Sequence, residues 1–159
     1  MIYDNFLSSK EFTPVQEVLL GPNIPWYLTE NMTWTDVKSD GYHFTHVFYA
    51  NNTWVSEFGY VLEPLLRKLD VNAIVRIKAN LYPKSDTIIE HEPHKDYDFK
   101  HMAAIFSINT NDGYTILEDG VKKIYSKENR LLMHDASALH QSTNCTDAKF
   151  RVNLVLNYF

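Results

Sequence analysis

The stretch FRVNLVLNYF, Phe150–Phe159, alternates with a period of two. That is the signature of a β-strand whose two faces meet different surroundings. Arg151, Asn153 and, less tidily, Val155 and Asn157 share one face. Such a face is either solvated or forms the polar interior of a barrel that holds a small ligand. Ala73–Tyr82 repeats the pattern: Ile74, Arg76, Lys78 and Asn80 point one way, and Val75, Ile77, Ala79 and Leu81 point the other.

Between these two strands the chain reads as further strands. Met102–Asn109 is apolar, Asn111-Asp112-Gly113 marks a turn, and Tyr114–Glu118 and Val121–Ser126 flank Asp119-Gly120, a type I′ hairpin signal. Arg130–His134 adds one more. Many short strands at regular spacing argue for a sandwich or barrel. Upstream the texture changes. Thr13-Pro14-Val15-Gln16 reads as a capped helix start that Gly21-Pro22 ends, and Val61–Leu69 reads as a second helix with Pro64 in its first turn. The expectation is one domain over 1–159, mainly β with flanking helices: helices and support strands in 1–72, and the β core in 73–159.

Composition bounds the function. Hydrophobic residues make up 45% of the 159, enough for an ordinary folded core, and aromatics reach 14%, which suits strands and a ring-lined pocket. A net charge of −5 argues against a nucleic-acid partner. No apolar run approaches the roughly 20 residues needed to span a bilayer. Met1–Phe12 lacks the pattern of a signal peptide, and Cys145 is the only cysteine, so a reducing compartment, the cytoplasm, is expected.

Chemistry concentrates around His94-Lys95-Asp96, with His140 44 residues beyond Asp96. Two imidazoles and one carboxylate form a facial triad that leaves metal positions open, and they suit iron(II). With seven His and twenty acidic residues in 159, chance supplies about one H-x-D/E, so the pair alone carries little weight. Order carries more. The pair follows a strand, a hairpin meander intervenes, a His closes the set, and Arg151 follows 11 residues later inside the last strand. An Arg buried in a barrel needs an anionic partner to offset its desolvation, and a dicarboxylate supplies one through a bidentate pair. A zinc hydrolase would also take His₂Asp, but it leaves Arg151 without a reason.

This arrangement resembles the iron(II)/2-oxoglutarate oxygenase superfamily, whose pattern is H-x-D, a distal His, and an Arg or Lys about ten residues on. The resemblance runs from about Ile74 to Phe159. Asn109–Tyr114 with Phe150–Phe159 is most similar to small phage-encoded members, which resemble prolyl 4-hydroxylases. The resemblance implies a double-stranded β-helix, or jelly roll, with the helices packed outside its larger sheet. It implies iron held by His94, Asp96 and His140, 2-oxoglutarate and O₂ as co-substrates, and ascorbate as a possible reductant. Arg151 takes the position that pairs with the distal carboxylate of 2-oxoglutarate. Tyr82 matches a strand Tyr that often binds the same carboxylate. Asn80 and Asn153 fall at further co-substrate positions. The implied reaction is hydroxylation of an unactivated C–H bond, with a peptidyl-prolyl substrate as first guess. A nucleobase or small metabolite is the alternative, and a non-catalytic jelly-roll binding module is the rival from another class. Nucleic-acid demethylases of the superfamily carry R-x-N-x-T-x-R, and here Asn157 stands in place of the second Arg, against that activity. A phage-encoded member would work in the host cytoplasm.

Other residues are read more plainly. His91 is expected to be a loop residue, and His134 a hydrogen-bonded His at the end of a strand. His43, His46 and His101 lack a carboxylate at ligand spacing, and Cys145 is a semi-buried thiol. Tyr97, directly after the metal loop, is the best candidate for a substrate contact. Trp26, Tyr27, Trp34, Trp54 and Tyr60 are groove candidates that more often serve as core.

Overall fold

Strands β1 (Ile2–Tyr3), β2 (Tyr27–Thr29), β3 (His43–Ala50) and β4 (Thr53–Trp54) are interleaved with helix α1 (Ser9–Leu20), and a 3₁₀ turn at Glu57–Leu62 runs into α2 (Glu63–Leu69). Then come β5 (Ile74–Pro83), β6 (Met102–Ser107), β7 (Tyr114–Ile116), β8 (Lys123–Tyr125), β9 (Arg130–Asp135), β10 (Gln141–Ser142) and β11 (Phe150–Tyr158). This computed structural model describes residues 1–30, 42–117, 120 and 122–159. Trp34 and the tip of the expected hairpin (Glu118, Asp119, Val121) lie outside the described residues. Gly120 has φ +65°, the left-handed backbone that favours glycine.

The larger sheet runs β1-β9-β6-β11-β5-β3-β2, with β4 beside β3, and the smaller runs β10-β7-β8. Neighbours in both sheets pair antiparallel, as alternating amphipathic strands prefer. Backbone bridges Glu90↔Thr143 and His94↔His140 extend the smaller sheet across the segment before β6. The expected jelly roll with flanking helices is present.

The two faces of the larger sheet have different chemistry. Outward, Ile77 and Ala79 of β5, Ala104 and Phe106 of β6, and Val152, Leu154 and Leu156 of β11 pack with Phe12, Val15 and Leu19 of α1 and Leu65 of α2. Each fully buried Leu there contributes roughly 1.5–3 kcal/mol. Inward, Ile105, Leu132 and Val155 form a small apolar cluster with Ile124 of the smaller sheet, and polar side chains such as Asn80, Arg151, Asn153 and Asn157 occupy much of the rest among the described residues.

Helix α1 begins earlier than the Thr13-Pro14 signal suggests. Ser8 is the N-cap; its N–H and its hydroxyl donate to the Glu11 carboxylate at 3.1 and 2.7 Å. That Ser-x-x-Glu arrangement overrides the downstream Thr-Pro cue. Pro14 then lies inside the helix, where only the bond to the Lys10 carbonyl is lost. Starting at Ser9 places Phe12, Val15 and Leu19 on one face toward the sheet. Gly21 ends the helix, and Pro64 falls in the first turn of α2, both as expected.

Candidate metal centre and anion pocket

The inward face of β5 and β11 is a ladder of four cross-strand pairs: Arg151 opposite Tyr82, Asn153 opposite Asn80, Val155 opposite Lys78, and Asn157 opposite Arg76. Strand β3 continues two rungs with Thr45 beside Asn80 and Val47 beside Lys78, and β6 continues three with Ser107, Ile105 and Ala103. Because directly opposed residues share a face, the register turns two alternating sequences into one graded surface.

A candidate metal site lies beside the Arg76–Asn157 rung. One ligand atom each from His94, Asp96 and His140 falls within 4.8 Å of the others. Backbone hydrogen bonds of 3.0 Å in both directions between His94 and His140 join residues far apart in sequence. Each ring is also turned by its own loop: Nδ1 of His94 donates to the Glu92 carbonyl at 3.2 Å, and Nδ1 of His140 to the Ala138 carbonyl at 3.3 Å. This tautomer leaves both Nε2 lone pairs for a metal. Burial pushes both imidazoles down, His140 to about 4, so they are neutral at pH 7. Burial pushes the Asp96 carboxyl up, but the His140 ring, the Arg76 guanidinium and the Asn157 amide outweigh it and hold it at about 2.

Asp96 is clamped from both sides: Arg76 Nη2 donates to Oδ1 at 2.9 Å and Asn157 Nδ2 to Oδ2 at 2.9 Å. The Arg76 guanidinium lies 5.1 Å from the Tyr97 ring centre. Asn157 also meets His101 Nε2 at 3.2 Å. A guanidinium thus reaches Asp96 from Arg76, directly across the strand pair from Asn157. The sequence put Arg76 on the correct face but gave no sign of its partner.

At the other end Arg151 is 1% exposed, yet no carboxylate of the described residues touches it. Its Nε donates to Ser126 Oγ at 2.8 Å, Nη1 to the Tyr114 and Thr143 carbonyls and Ser142 Oγ at 3.0, 2.6 and 2.9 Å, and Nη2 to Thr115 Oγ1 at 3.1 Å. Nη2 carries two hydrogens and has one described acceptor, so a donor remains. A Cβ on Gly113 would sit 2.7 Å from Arg151 Cδ, so that glycine makes room for the side chain. Burial lowers the guanidinium to about 10 and raises the Tyr82 hydroxyl. Tyr82 lies between the His43 ring, stacked at 5.2 Å, and the His91 ring at 5.3 Å. Between the two ends Asn80 Nδ2 donates to Asn153 Oδ1 at 3.0 Å, and Asn80 Oδ1 is buried without a partner.

One cavity connects these parts: His94, Asp96, His140, Tyr82, Asn80 and Asn153 all line it, as do Thr115 and Ser142, which hold Arg151. Sequence reasoning missed Lys78, His43 and His91, which line it too. His91 is a loop residue, but a buried one facing this cavity, because its N–H is tied to the Ser142 carbonyl at 2.9 Å. His134 ends β9 as expected, with its ring 4.9 Å from that of His140. Tyr97 packs on Arg76 and is not among the residues lining the cavity. Trp54 and Tyr60 line a separate open groove of about 640 Å³ that contains no ligand-type His; Trp26 packs on the core and Tyr27 is exposed. Cys145 is buried and free.

The geometry fits a metal with a dicarboxylate: three donors converge, and a buried guanidinium behind Thr115 and Ser142 of the same cavity lacks a carboxylate among the described residues. No protein-family model matches the chain, and no curated protein matches it either. Solved structures do match in fold. A prolyl hydroxylase from Trichoplax adhaerens, in complex with a hypoxia inducible factor peptide fragment, superposes with TM-score 0.71 at 17% identity over 100% of this chain and 82% of that one. An oxidoreductase of the 2OG-Fe(II) oxygenase family from Burkholderia pseudomallei gives 0.74 at 12% identity over 99% and 84%. The α-ketoglutarate-dependent epimerase SnoN from nogalamycin biosynthesis gives 0.69 at 11% over 100% and 76%. These likenesses establish a shared jelly-roll fold. Among the described residues no helix is long and apolar enough to cross a membrane.

Proposed function

We propose that the chain is an iron(II)- and 2-oxoglutarate-dependent oxygenase that hydroxylates an unactivated C–H bond. The observation that carries this reading is the buried Arg151, without a carboxylate among the described residues, held by Thr115 and Ser142 of the cavity that the His94, Asp96 and His140 donor set also lines. A metal with a dicarboxylate co-substrate gives both ends a reason; a structural polar cluster or a hydrolytic zinc site accounts for one.

In this reading Nε2 of His94 and His140 and the Asp96 carboxylate hold the metal. Arg76 and Asn157 fix the Asp96 oxygens, which sets the carboxylate plane before metal arrives. Arg151 and Tyr82 bind the distal carboxylate of 2-oxoglutarate, and the Asn80–Asn153 pair walls the space between. Ile105 and Val155 keep the floor apolar and exclude water. Iron, 2-oxoglutarate and O₂, when bound, supply the oxidising power, while the protein positions and shields them. Ascorbate would act as a reductant in assay.

For the substrate, a prolyl residue is the first candidate, supported by the fold shared with prolyl hydroxylases from Trichoplax adhaerens and Pseudomonas putida and with a viral collagen prolyl hydroxylase. We assign the small phage-encoded type and a cytoplasmic site of action on the same reading. The test is release of labelled CO₂ from 1-¹⁴C-2-oxoglutarate with iron(II) and ascorbate, followed by a mass-spectrometric search of host-cell extract for +16 Da products. Turnover that needs both iron and 2-oxoglutarate is expected. A flat signal in the presence of extract would favour the binding module.

A further inference from the structure

Lys78 is the one residue of the ladder whose chemistry the proposed reaction does not use. It lines the cavity one rung, about 7 Å, from the Arg76–Asn157 rung that holds the metal carboxylate. Its neighbours on that rung are Val47, Val155 and Ile105, none of which offers a side-chain acceptor. No described hydrogen bond or ion pair involves its ammonium, while Asp96, the nearest acid, is already bonded through both oxygens to Arg76 and Asn157. Arg76, Lys78 and Arg151 thus share the inward face of β5 and β11, and Asp96 is the one carboxylate among the described residues that line the cavity. Iron(II) with 2-oxoglutarate adds two positive and two negative charges and leaves that surplus in place. In the proposed scheme Arg151 is matched to the distal carboxylate and Arg76 is hydrogen-bonded to Asp96, so Lys78 is the cation of the ladder without a bonded anion among the described residues. A half-buried ammonium that lines a cavity without a bonded acceptor is placed to meet an anionic ligand there.

We propose, resting on the oxygenase reading, that Lys78 recognises a carboxylate on the substrate, so that the chain oxidises a small carboxylic acid close to its acid group. This replaces the peptidyl-prolyl candidate, whose carboxyl is tied up as an amide, with a free carboxylic acid such as proline. Lys78 is a specificity-determining residue in this scheme, and it selects by leaving its own ammonium unpaired when a neutral analogue enters.

The test uses the whole chain loaded with Mn(II) and 2-oxoglutarate without O₂, and two probes of nearly the same shape, propionate and propionamide. Mn(II)-induced proton relaxation reports binding beside the metal. Propionate should bind about 10- to 100-fold more tightly than propionamide, the range of a hydrogen bond to a charged group. In Lys78→Met, and in Lys78→Gln as a second neutral variant, that preference should vanish with the 2-oxoglutarate affinity unchanged. Lys78→Arg should keep the preference. Equal binding of the two probes by the native chain overturns the proposal. So does a tenfold loss of 2-oxoglutarate affinity in both neutral variants, which would make Lys78 a co-substrate anchor. A native chain that binds neither Mn(II) nor 2-oxoglutarate sinks the oxygenase reading itself, in a readout separate from the probes.

Discussion

The two faces of strands β5 and β11 differ in what decides each residue. On the outward face Ile77, Ala79, Val152, Leu154 and Leu156 are at most 1% exposed and meet the helices. Their requirement is volume and apolarity, and many sequences would satisfy it. On the inward face Arg76, Asn80, Tyr82, Arg151, Asn153 and Asn157 are held by directional contacts that tolerate little exchange. One face makes the fold and the other spends part of that stability on a surface that fits a ligand. The same backbone, read two residues at a time, serves both.

The sharpest way to break this division is to remove one inward ligand. His140→Ala should abolish metal binding and turnover while leaving the thermal unfolding of the metal-free protein nearly unchanged, since its ring is in no apolar cluster. Titration with Co(II) followed by d–d absorbance reads the first, and calorimetry the second. Retained Co(II) binding would mean that the donor set is wrong. The complementary outward change, Leu156→Ala, should cost about 2–5 kcal/mol of stability. The fraction that stays folded should bind Co(II) and 2-oxoglutarate with native affinity; a lost site would show that the two faces are not separable.

Arg151→Ala tests the far end. Removing a buried charged donor should weaken 2-oxoglutarate binding by about 2–5 kcal/mol, measured by calorimetric titration of the Mn(II)-loaded chain, with Mn(II) affinity retained. Arg76→Met should act in the opposite sense. It should weaken Co(II) binding by about 10- to 100-fold, as expected for the partner of a ligating carboxylate, and change 2-oxoglutarate affinity little once the metal saturates. Equal effects of both variants on both ligands would remove the distinction between a metal end and an anion end.

How much of this the sequence reveals follows the same division. Period-two alternation placed β5 and β11 within a residue or so of their observed limits, because half-buried strands write their two faces directly into the chain. The order of His94, Asp96, His140 and Arg151 pointed to one site; the first three line one cavity, and Arg151 lies behind Thr115 and Ser142 of its wall. What stayed hidden depends on pairing between distant segments. Arg76 and Lys78 were correctly placed on the Asn80 face, but their rung partners, Asn157 and Val155, are set by strand register, which has no local signature. His43 and His91 flank Tyr82 only because β3 lies beside β5 and the segment at His91 pairs with Ser142. The helix start was misplaced for a local reason: the Ser8–Glu11 cap competes with the Thr13-Pro14 cue, and the amphipathic phase of Phe12, Val15 and Leu19 decides between them.

The test that separates the faces without mutation is the acid response of the metal-free protein. Burial, the largest cause in each case, lowers His43 to about 4, His91 to about 3 and His140 to about 4, from 6.5. The folded chain therefore keeps these rings neutral where the unfolded chain takes up protons. Stability from them is complete above about pH 6.5 and is lost as pH falls through 4 toward 3, because the unfolded state binds more protons across that window. The unfolding temperature should fall between pH 6.5 and 4, and saturating Co(II) should make the fall steeper, since protons and metal compete for His140. The outward face has nothing to titrate, so Leu156→Ala should lower the whole curve without altering its pH dependence. An unfolding temperature flat over this window would mean that the inward imidazoles are solvated, and the buried polar face, with the cavity it encloses, would have to be given up.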